Sequence, residues 1–292
     1  MQKRTKLVLA VVILAALLIA TVLFTYRPEP TYQGHTLTYW LGECAKEPKL
    51  FTAGPEAPEC VRAVRAIGTD AIPTLVAWLS YEPHPIKRRL WIRLKLVLGR
   101  FIPFPAWTST DSGQRRLALL GFRILGERSA PALPALTKLA NGPNLRAAVP
   151  AVFAMGKAGP AAVPFLEMVL TNPAATPRNQ AARELGGLGT NAMPALPSLL
   201  RCVGDADEEV AAASLRAVGA VMQDERVFAA VTGALNDPRP LIREAAVQAL
   251  RSGDKAAPFL QRALDDPDKG VRDQAKAILQ ALASQNPANA SR

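Results

Sequence analysis

Apolar residues near the end of the chain recur with the period of an α-helix. The apolar stripe consists of Leu241, Ile242, Ala245, Ala246, Ala249 and Leu250. Arg243, Glu244 and Gln248 are expected to lie outside this stripe, on the polar face of the helix. Gly253 predicts the end of the helix, and Asp254 predicts the cap of a second one. A single helical hairpin buries too little apolar area to be stable alone, so it requires neighbours of the same kind.

The same hairpin pattern recurs along the chain, with a glycine at each predicted turn. After each clear glycine, a proline follows five or eight residues later and a branched aliphatic residue follows seven residues later. The clear turns are at Gly68, Gly126, Gly156, Gly189 and Gly253, and weaker ones are at Gly99 and Gly219. Successive glycines are 27 to 34 residues apart, which is typical of an α-solenoid. The pattern predicts an all-α superhelix of about seven hairpins.

The chain begins with a segment whose composition differs from that of the rest. Residues 7–24 are eighteen residues without a charge, which is long enough for a helix to cross about 30 Å of hydrocarbon. Because Lys3, Arg4 and Lys6 precede this segment, residues 1–6 are predicted to stay in the cytoplasm and the rest to be exported. A cleaved signal peptide and a buried soluble helix are the alternatives, although bulky residues stand where a cleavage site needs small ones.

These patterns predict how the chain is divided. A signal anchor at 7–24 is followed by a proline-bearing spacer at 25–34, a helical array at 35–283 and a frayed tail at 284–292. With 49% hydrophobic residues the array can bury a real core, and with 6% aromatic residues it suits close packing of helices. We expect almost no β-structure. The predicted localisation is a single-pass inner membrane protein whose array lies outside the cytoplasm.

The net charge of +11 is concentrated in one region. Between Glu82 and Arg128, ten basic residues accompany three acidic ones, whereas acids outnumber bases from Val203 onward. The candidate partner-binding residues in this region are Lys87, Arg88, Arg89, Arg93, Lys95, Arg100, Arg115, Arg116, Trp91 and Trp107. Solvated helix faces carry such charges routinely. The alternatives are a surface for an acidic protein or for anionic headgroups, and a nucleic-acid site.

The cysteines and histidines limit the chemistry. Cys44 and Cys60 are sixteen residues apart, so they form either a disulfide across the first helices or two small buried side chains. Cys202 has no obvious partner. With His35 and His84 as the only histidines and no CxxC spacing, we expect no metal site.

Two segments, LNDPRPLIREAAVQAL and LDDPDKGVRDQAKAILQAL, share Asp-Pro at the turn, an aliphatic-arginine pair and an alanine-rich stripe. These features resemble HEAT repeats, specifically the short bacterial type of phycobilisome-lyase-like HEAT proteins. Residues 56–283 carry the resemblance. The entry TYQGHTLTYWL after an anchor resembles membrane-anchored HEAT proteins. Ala211 departs from the pattern, because arginine is expected at that position. The resemblance implies a superhelical scaffold that binds proteins, and it does not imply lyase activity.

No catalytic constellation stands out in the sequence. There is no nucleophile elbow, metalloprotease motif, phosphate loop or dinucleotide-binding spacing. We therefore expect a scaffold for protein–protein interaction without catalysis, cofactor or metal. The alternatives are a HEAT-like enzyme of the lyase or nucleobase-excising type, and a binder of anions or nucleic acid that uses the basic region at 82–128.

Overall fold

The computed structural model describes residues 29–47, 57–81, 111–220, 225–250 and 256–285. This part of the chain is helical apart from one short β-hairpin. No helix within these ranges is long and apolar enough to cross a membrane, and the anchor predicted at 7–24 lies outside them, as does the tail after Gln285.

The elements follow one another in a regular order. They are β1 Thr31–Tyr32, β2 His35–Thr36, α1 Leu37–Lys46, α2 Glu59–Ile67, α3 Ile72–Ser80, α4 Asp111–Leu125, α5 Leu133–Ala140, α6 Leu145–Lys157, α7 Val163–Val169, α8 Ala175–Gly187, α9 Leu196–Cys202, α10 Glu208–Gly219, α11 Glu225–Ala234, α12 Pro240–Ala249, α13 Ala257–Arg262 and α14 Lys269–Gln285. Short 3₁₀ segments join the helices of several pairs and follow α13.

The helices from α2 to α13 form consecutive pairs that stack side by side. The first helices of the pairs, α2, α4, α6, α8, α10 and α12, each contact the next one, and α14 continues this layer. The second helices α3, α5 and α7 also contact one another in order. One apolar cluster runs through the stack from Leu37 to Ile278. The described residues therefore form a helical solenoid, as the repeat pattern predicts.

Glycines with positive φ close the first helix of several pairs. These are Gly68 (φ 60°), Gly126 (φ 56°), Gly159 (φ 71°) and Gly189 (φ 57°). A side chain would be strained in this left-handed conformation, so glycine suits the end of the helix. The 3₁₀ turns that follow are of two lengths, four residues after Gly68 and Gly159, and seven residues after Gly126 and Gly189. The second helix therefore begins with proline at its second position either five or eight residues after the glycine.

The sequence pattern misplaces one of the glycines and misses the close packing of another, which does lie at a helix end as predicted. Gly156 lies inside α6, and the turn begins three residues later at Gly159. Gly219 is the last residue of α10 and does not have a positive φ. A Cβ at Gly219 would lie 2.6 Å from the Cα of Ala249, so this glycine allows two first helices to approach closely. The sequence pattern could not separate these two uses of glycine.

The first two pairs stack directly on each other. Helix α4 contacts both α2 and α3, a Cβ at Gly121 would lie 2.7 Å from Leu75, and Arg128 donates to the carbonyl of Arg65 at 3.3 Å. Residues 81–110 connect α3 to α4, whereas residues 170–174 are enough to connect α7 to α8. The repeat predicted around Gly99 lies outside the described residues, and the pairs before and after it are in contact without it.

The N-terminal end of the array departs from the predicted spacer. Residues 31–36 form a two-stranded antiparallel hairpin in which Thr31 pairs with Thr36, and Glu29 already bonds to α1. Residues 29–34 therefore belong to the folded body and do not act as a spacer. Helix α1 contacts α2 and α4, and a disulfide joins Cys44 in α1 to Cys60 in α2, with their Cα atoms 5.4 Å apart.

Candidate functional site

The structure places only part of the predicted basic region. The predicted residues that lie outside the described ranges are Lys87, Arg88, Arg89, Arg93, Lys95, Arg100, Trp91 and Trp107. Of the predicted site, Arg115 and Arg116 are described, both on α4. Arg116 is exposed, whereas Arg115 is half-buried and donates to the carbonyl of Tyr81 at 3.4 Å. Arg115 therefore ties the start of α4 to the end of the preceding pair.

Arg115 also has unused hydrogen-bonding capacity. Its Nε atom is buried and has no acceptor among the described residues. An unsatisfied buried donor costs about 1–3 kcal/mol, so an acceptor from elsewhere would be favoured here. Arg115 lies in the first turns of α4, and its partner Tyr81 is the last described residue of the preceding pair.

A second feature, which the sequence reasoning missed, is an arginine that joins consecutive loops. Arg178 on α8 donates through Nη1 to the carbonyls of Asn172 and Pro173, at 2.9 and 3.1 Å, in the loop before its own helix. It also donates through Nε and Nη2 to both carboxylate oxygens of Asp205, at 2.9 and 2.8 Å. Asp205 lies in the loop before α10, the first helix of the next pair. This planar bidentate geometry suits arginine and no other side chain.

The same arrangement recurs on α12. Arg243 donates to the carbonyls of Asp237 and Pro238 at 2.9 and 3.0 Å, and to both oxygens of Asp266 at 2.8 and 3.0 Å. The helical pattern predicts Arg243 on the polar face of its helix, but Arg243 is only 9% exposed. The sequence does contain a pattern that marks this link. Arg178 and Arg243 each stand six residues after the asparagine or aspartate of their own loop, and the same spacing separates Asp266 from Arg272.

In these arginine–aspartate pairs the pKa values of the two side chains shift in opposite directions. The hydrogen bond from Arg243 holds the pKa of Asp266 below its ordinary value, and the pKa of Arg243 is raised by the same bond. Burial is the largest single influence on Asp205 and acts to raise its pKa. The hydrogen bonds from Arg178 and from the backbone N–H of Asp207 together outweigh burial, so the pKa of Asp205 is lowered. Both aspartates are therefore ionised structural groups and unsuited to acid–base catalysis.

One first helix, α10, has no arginine at the position from which Arg178 and Arg243 join two loops. Ala211 on α10 occupies the position of Arg178 and Arg243, and it is fully buried. Asp237, the aspartate that an arginine there would reach, instead accepts from Nε and Nη2 of Arg239, both at 2.9 Å. This bond lowers the pKa of Asp237. The link from loop to loop is thus interrupted at α10, and Asp237 is satisfied within its own loop.

A groove of about 630 Å³ crosses the outer surface of α8, α10 and α12. Small side chains of Ala182, Ala213 and Ala217 lie at its base, where they are almost completely buried. The polar side chains that line it are those of Arg183, Glu209, Arg216 and Gln248. Arg183, Arg216 and Gln248 occupy the same position in three successive first helices, eleven residues after Asn172, Asp205 and Asp237 respectively. The repeat therefore places a row of polar side chains along one groove.

Arg216 is the central side chain of this row. It is half-buried, and its Nε donates to Oε1 of Gln248 at 2.6 Å, while Gln248 donates to Oε1 of Glu244 at 3.0 Å. Burial lowers the pKa of Arg216 below its ordinary value, Glu244 acts against this change, and the positive charge of Arg183 acts with it. Glu209, which lines the same groove, acts with Glu244 to favour the charged form of Arg216. Among the described residues neither Arg183 nor Arg216 forms an ion pair.

The remaining reactive groups of the described residues do not form a catalytic arrangement. Cys202 is a free, half-buried thiol, and burial raises its pKa, so little of it is thiolate near neutral pH. Among the described residues, no group of three or more His, Cys, Asp or Glu side chains could hold a metal ion. The arrangement on the described surface is suited to contact with another molecule through charge and shape.

The chain matches a family model in its C-terminal part. The model of HEAT repeats matches residues 172–251 and 196–283. These ranges include both arginine–aspartate pairs that join consecutive loops, Arg178–Asp205 and Arg243–Asp266. The match identifies HEAT repeats in residues 172–283, and the stacked helical pairs make the described residues an all-helical repeat array of a kind suited to protein–protein interaction. A comparison with curated proteins found no match.

Several solved structures are similar to this chain. The designed armadillo repeat protein YIII(Dq)4CqI is 18% identical, covers 72% of this chain and 99% of its own, and has a TM-score of 0.42. A designed armadillo repeat protein, YIII(Dq.V1)4CPAF, in complex with the peptide (KR)4 is 15% identical over 72% of this chain and 98% of its own, with a TM-score of 0.42. The complex of CpcE and CpcF of phycocyanin lyase from Nostoc sp. PCC7120 is 14% identical over 88% and 99%, with a TM-score of 0.37.

Proposed function

We propose that this chain is a non-catalytic scaffold that binds a partner protein, held at the cell membrane by residues 7–24 with its repeats outside the cytoplasm. The observation that carries the scaffold proposal is the groove across α8, α10 and α12, where the repeat aligns Arg183, Arg216 and Gln248. An open groove with aligned polar groups on a stack of helices is a surface for recognition of an extended segment.

The charge of the groove defines the chemistry of the partner segment. Arg183 and Arg216 both line the groove, Glu209 is the one acidic side chain among its lining residues, and neither arginine forms an ion pair. A partner carboxylate placed between the two arginines forms charge-assisted hydrogen bonds with them. The alanines at the base of the groove leave room for a main chain to approach closely. The partner is therefore an acidic segment, with a carboxylate at Arg183 and Arg216. Arg116, which is exposed on α4, is a further basic residue for the same partner.

A photoreactive amino acid at Gly187 tests this proposal in whole cells. Gly187 is exposed beside the groove, and a Cβ there meets no atom within 4 Å. Crosslinked partner should disappear when Arg183 and Arg216 are both changed to Gln. It should persist when Arg62 and Arg65, two exposed arginines on α2, are changed to Gln. Equal loss with both double variants would show that only overall charge matters, and equal capture with both would exclude the groove.

The localisation has its own support and its own test. A disulfide such as Cys44–Cys60 persists in oxidising compartments and is rare in the cytosol, which agrees with export past the inner membrane. A reporter that is active only outside the cytoplasm should be active when it is fused after Arg292, and the full chain should sediment with membranes. Activity of a cytoplasm-specific reporter at the same position would contradict the proposed orientation.

A further inference from the structure

The chain folds tightly onto the first helix from Glu29 onward. The carboxylate of Glu29 accepts hydrogen bonds from the backbone N–H and the hydroxyl of Thr38, at 3.1 and 2.7 Å. The N–H of Leu37 donates to the carbonyl of Pro30 at 3.0 Å. A carboxylate at a helix N-terminus is favoured both by the free amides and by the helix dipole. Glu29 is thus attached to the start of α1.

The hairpin that follows presents aromatic rings on the outer side of this end. Trp40 is 6% exposed, and its Nε1 donates to the carbonyl of Tyr32 at 3.1 Å, so the hairpin is held against α1. His35 and Tyr39 stack with ring centroids 4.1 Å apart. His35 is exposed and Tyr39 is 44% exposed. The N-terminal end of the described array therefore carries a small aromatic surface. It consists of Tyr32, His35 and Tyr39, and we call it the cap surface.

The distance from the proposed anchor to the cap surface is short. Phe24 is the last residue of the apolar segment, and Glu29 is five residues later. Even fully extended, five residues span at most about 18 Å. The headgroup layer on one side of a bilayer is itself about 5–8 Å thick. Because Glu29 is attached to α1, the N-terminal end of the solenoid has no long tether that could carry it away from the bilayer.

We propose that the cap surface lies on the lipid headgroups, so that this end of the solenoid has a lipid surface as its partner. This inference rests on the proposed anchor at 7–24. Tyrosine suits the position because its ring enters the apolar boundary while its hydroxyl remains among polar headgroups. His35, stacked on Tyr39, widens the contact. Seated in this way, the solenoid extends outward from its capped end, and the groove across α8, α10 and α12 lies away from the lipid.

Quenching of a fluorescent label by lipids tests this position in the full chain. The background is Cys202→Ser, which leaves Cys44 and Cys60 joined as a disulfide. A bimane label is placed either at Tyr39→Cys or at Leu264→Cys, an exposed site (39% exposed) near the other end of the array. The protein is reconstituted in phosphatidylcholine–phosphatidylglycerol vesicles, with and without lipids that carry a doxyl group near the headgroup.

We expect severalfold stronger quenching of the label at position 39 than of the label at position 264. Equally weak quenching at both positions, in protein that sediments with the vesicles, would overturn the cap proposal and leave the anchor intact. Protein that does not sediment with the vesicles would overturn the anchor, and the cap proposal with it. A blue-shifted label at position 39 that doxyl lipids do not quench would assign the cap surface to a protein partner and would also overturn the proposal.

Discussion

The loops before α12 and α14 are joined by an arginine, whereas the loops before α10 and α12 are not. Arg243 spans from the carbonyls of its own loop to Asp266 in the next. At the equivalent place in α10, Ala211 is buried among apolar neighbours, and Asp237 is held by Arg239 within one loop. The hydrophobic core is continuous across both positions. The comparison shows that core packing alone stacks these pairs and that the arginine adds a second attachment.

The first helices around the interrupted position are in unusually close contact. A Cβ at Gly219 in α10 would lie 2.6 Å from the Cα of Ala249, and one at Gly186 in α8 would lie 3.1 Å from the Cα of Ala217. Small residues let two helix backbones approach and increase the number of dispersion contacts. Helix α10 therefore packs closely on both sides, and toward α12 this close approach stands where an arginine–aspartate link is missing.

Removal of the arginine should have the largest effect. Arg243→Ala leaves the mostly buried carboxylate of Asp266 without its partner, and we expect a loss of about 3–5 kcal/mol in the free energy of unfolding. Chemical denaturation followed by circular dichroism measures this loss. Arg243→Lys should recover only part of it, because an ammonium group cannot bind both oxygens in one plane. A loss below about 1 kcal/mol, the range of exposed pairs, would contradict the structural role of Arg243.

Disruption of the close approach should have the next largest effect. In Gly219→Ala the added methyl group meets the backbone of Ala249, which cannot move like a side chain, so we expect a loss of about 1–3 kcal/mol. Gly187→Ala is the matched control, because its Cβ meets nothing within 4 Å. Alanine there should keep or slightly raise stability, since it favours helix over glycine. Equal effects of the two changes in thermal denaturation would exclude the packing explanation.

Restoration of the missing arginine should have a smaller effect. In the Arg239→Ala background Asp237 loses its partner, and because this pair is partly exposed the loss of stability should be well below that of Arg243→Ala. Ala211→Arg should recover that stability if the new side chain reaches Asp237 as Arg178 reaches Asp205. A double-mutant cycle of Ala211→Arg and Arg239→Ala measures the coupling. Additive effects would show that α10 cannot accommodate the link.

The smallest expected effect is the pH dependence that the carboxylate of Asp266 gives to stability in acid. Because the folded state lowers the pKa of Asp266, its contribution is fully present above the unfolded value of about 3.9 and is lost as pH falls through the lower folded value. The wild type should therefore lose stability below about pH 4, and Asp266→Asn should lose less of its own stability in that range. Asp265→Asn leaves the pair with Arg243 intact and should retain the wild-type dependence in acid denaturation.

Much of the solenoid could be predicted from local patterns. Glycine at a helix end and proline in the following first turn act within a few residues, so the pairs around Gly68, Gly126 and Gly189 follow from sequence alone. The position of Gly156 inside its helix and the close packing of Gly219 could not be predicted, because close approach to a neighbouring helix depends on residues about 30 positions away. The same limit applies to Glu29, whose attachment to Thr38 turned the expected spacer into part of the fold.

The polar sites were harder to predict than the helices. Arg243 was placed on the outer face because its helix position alone does not show that two loops converge there. The regular spacing from Asp237 to Arg243 and from Asp266 to Arg272 was visible, but its meaning requires the stacked geometry. The groove arginines Arg183 and Arg216 were missed for another reason. They do not belong to a dense basic region, and only the repeat register brings them together.

The disulfide at the N-terminal end gives the unfolding of the array a direction. In a linear repeat array, loss of structure begins at an end, where a pair has one neighbour instead of two. Cys44–Cys60 holds α1 onto α2 by a covalent bond, whereas α14 contacts its neighbours through packing and polar contacts alone. Hydrogen exchange should therefore be fastest in α14 and should proceed toward α4, so that an array pulled or digested in the cell is lost from its distal end first.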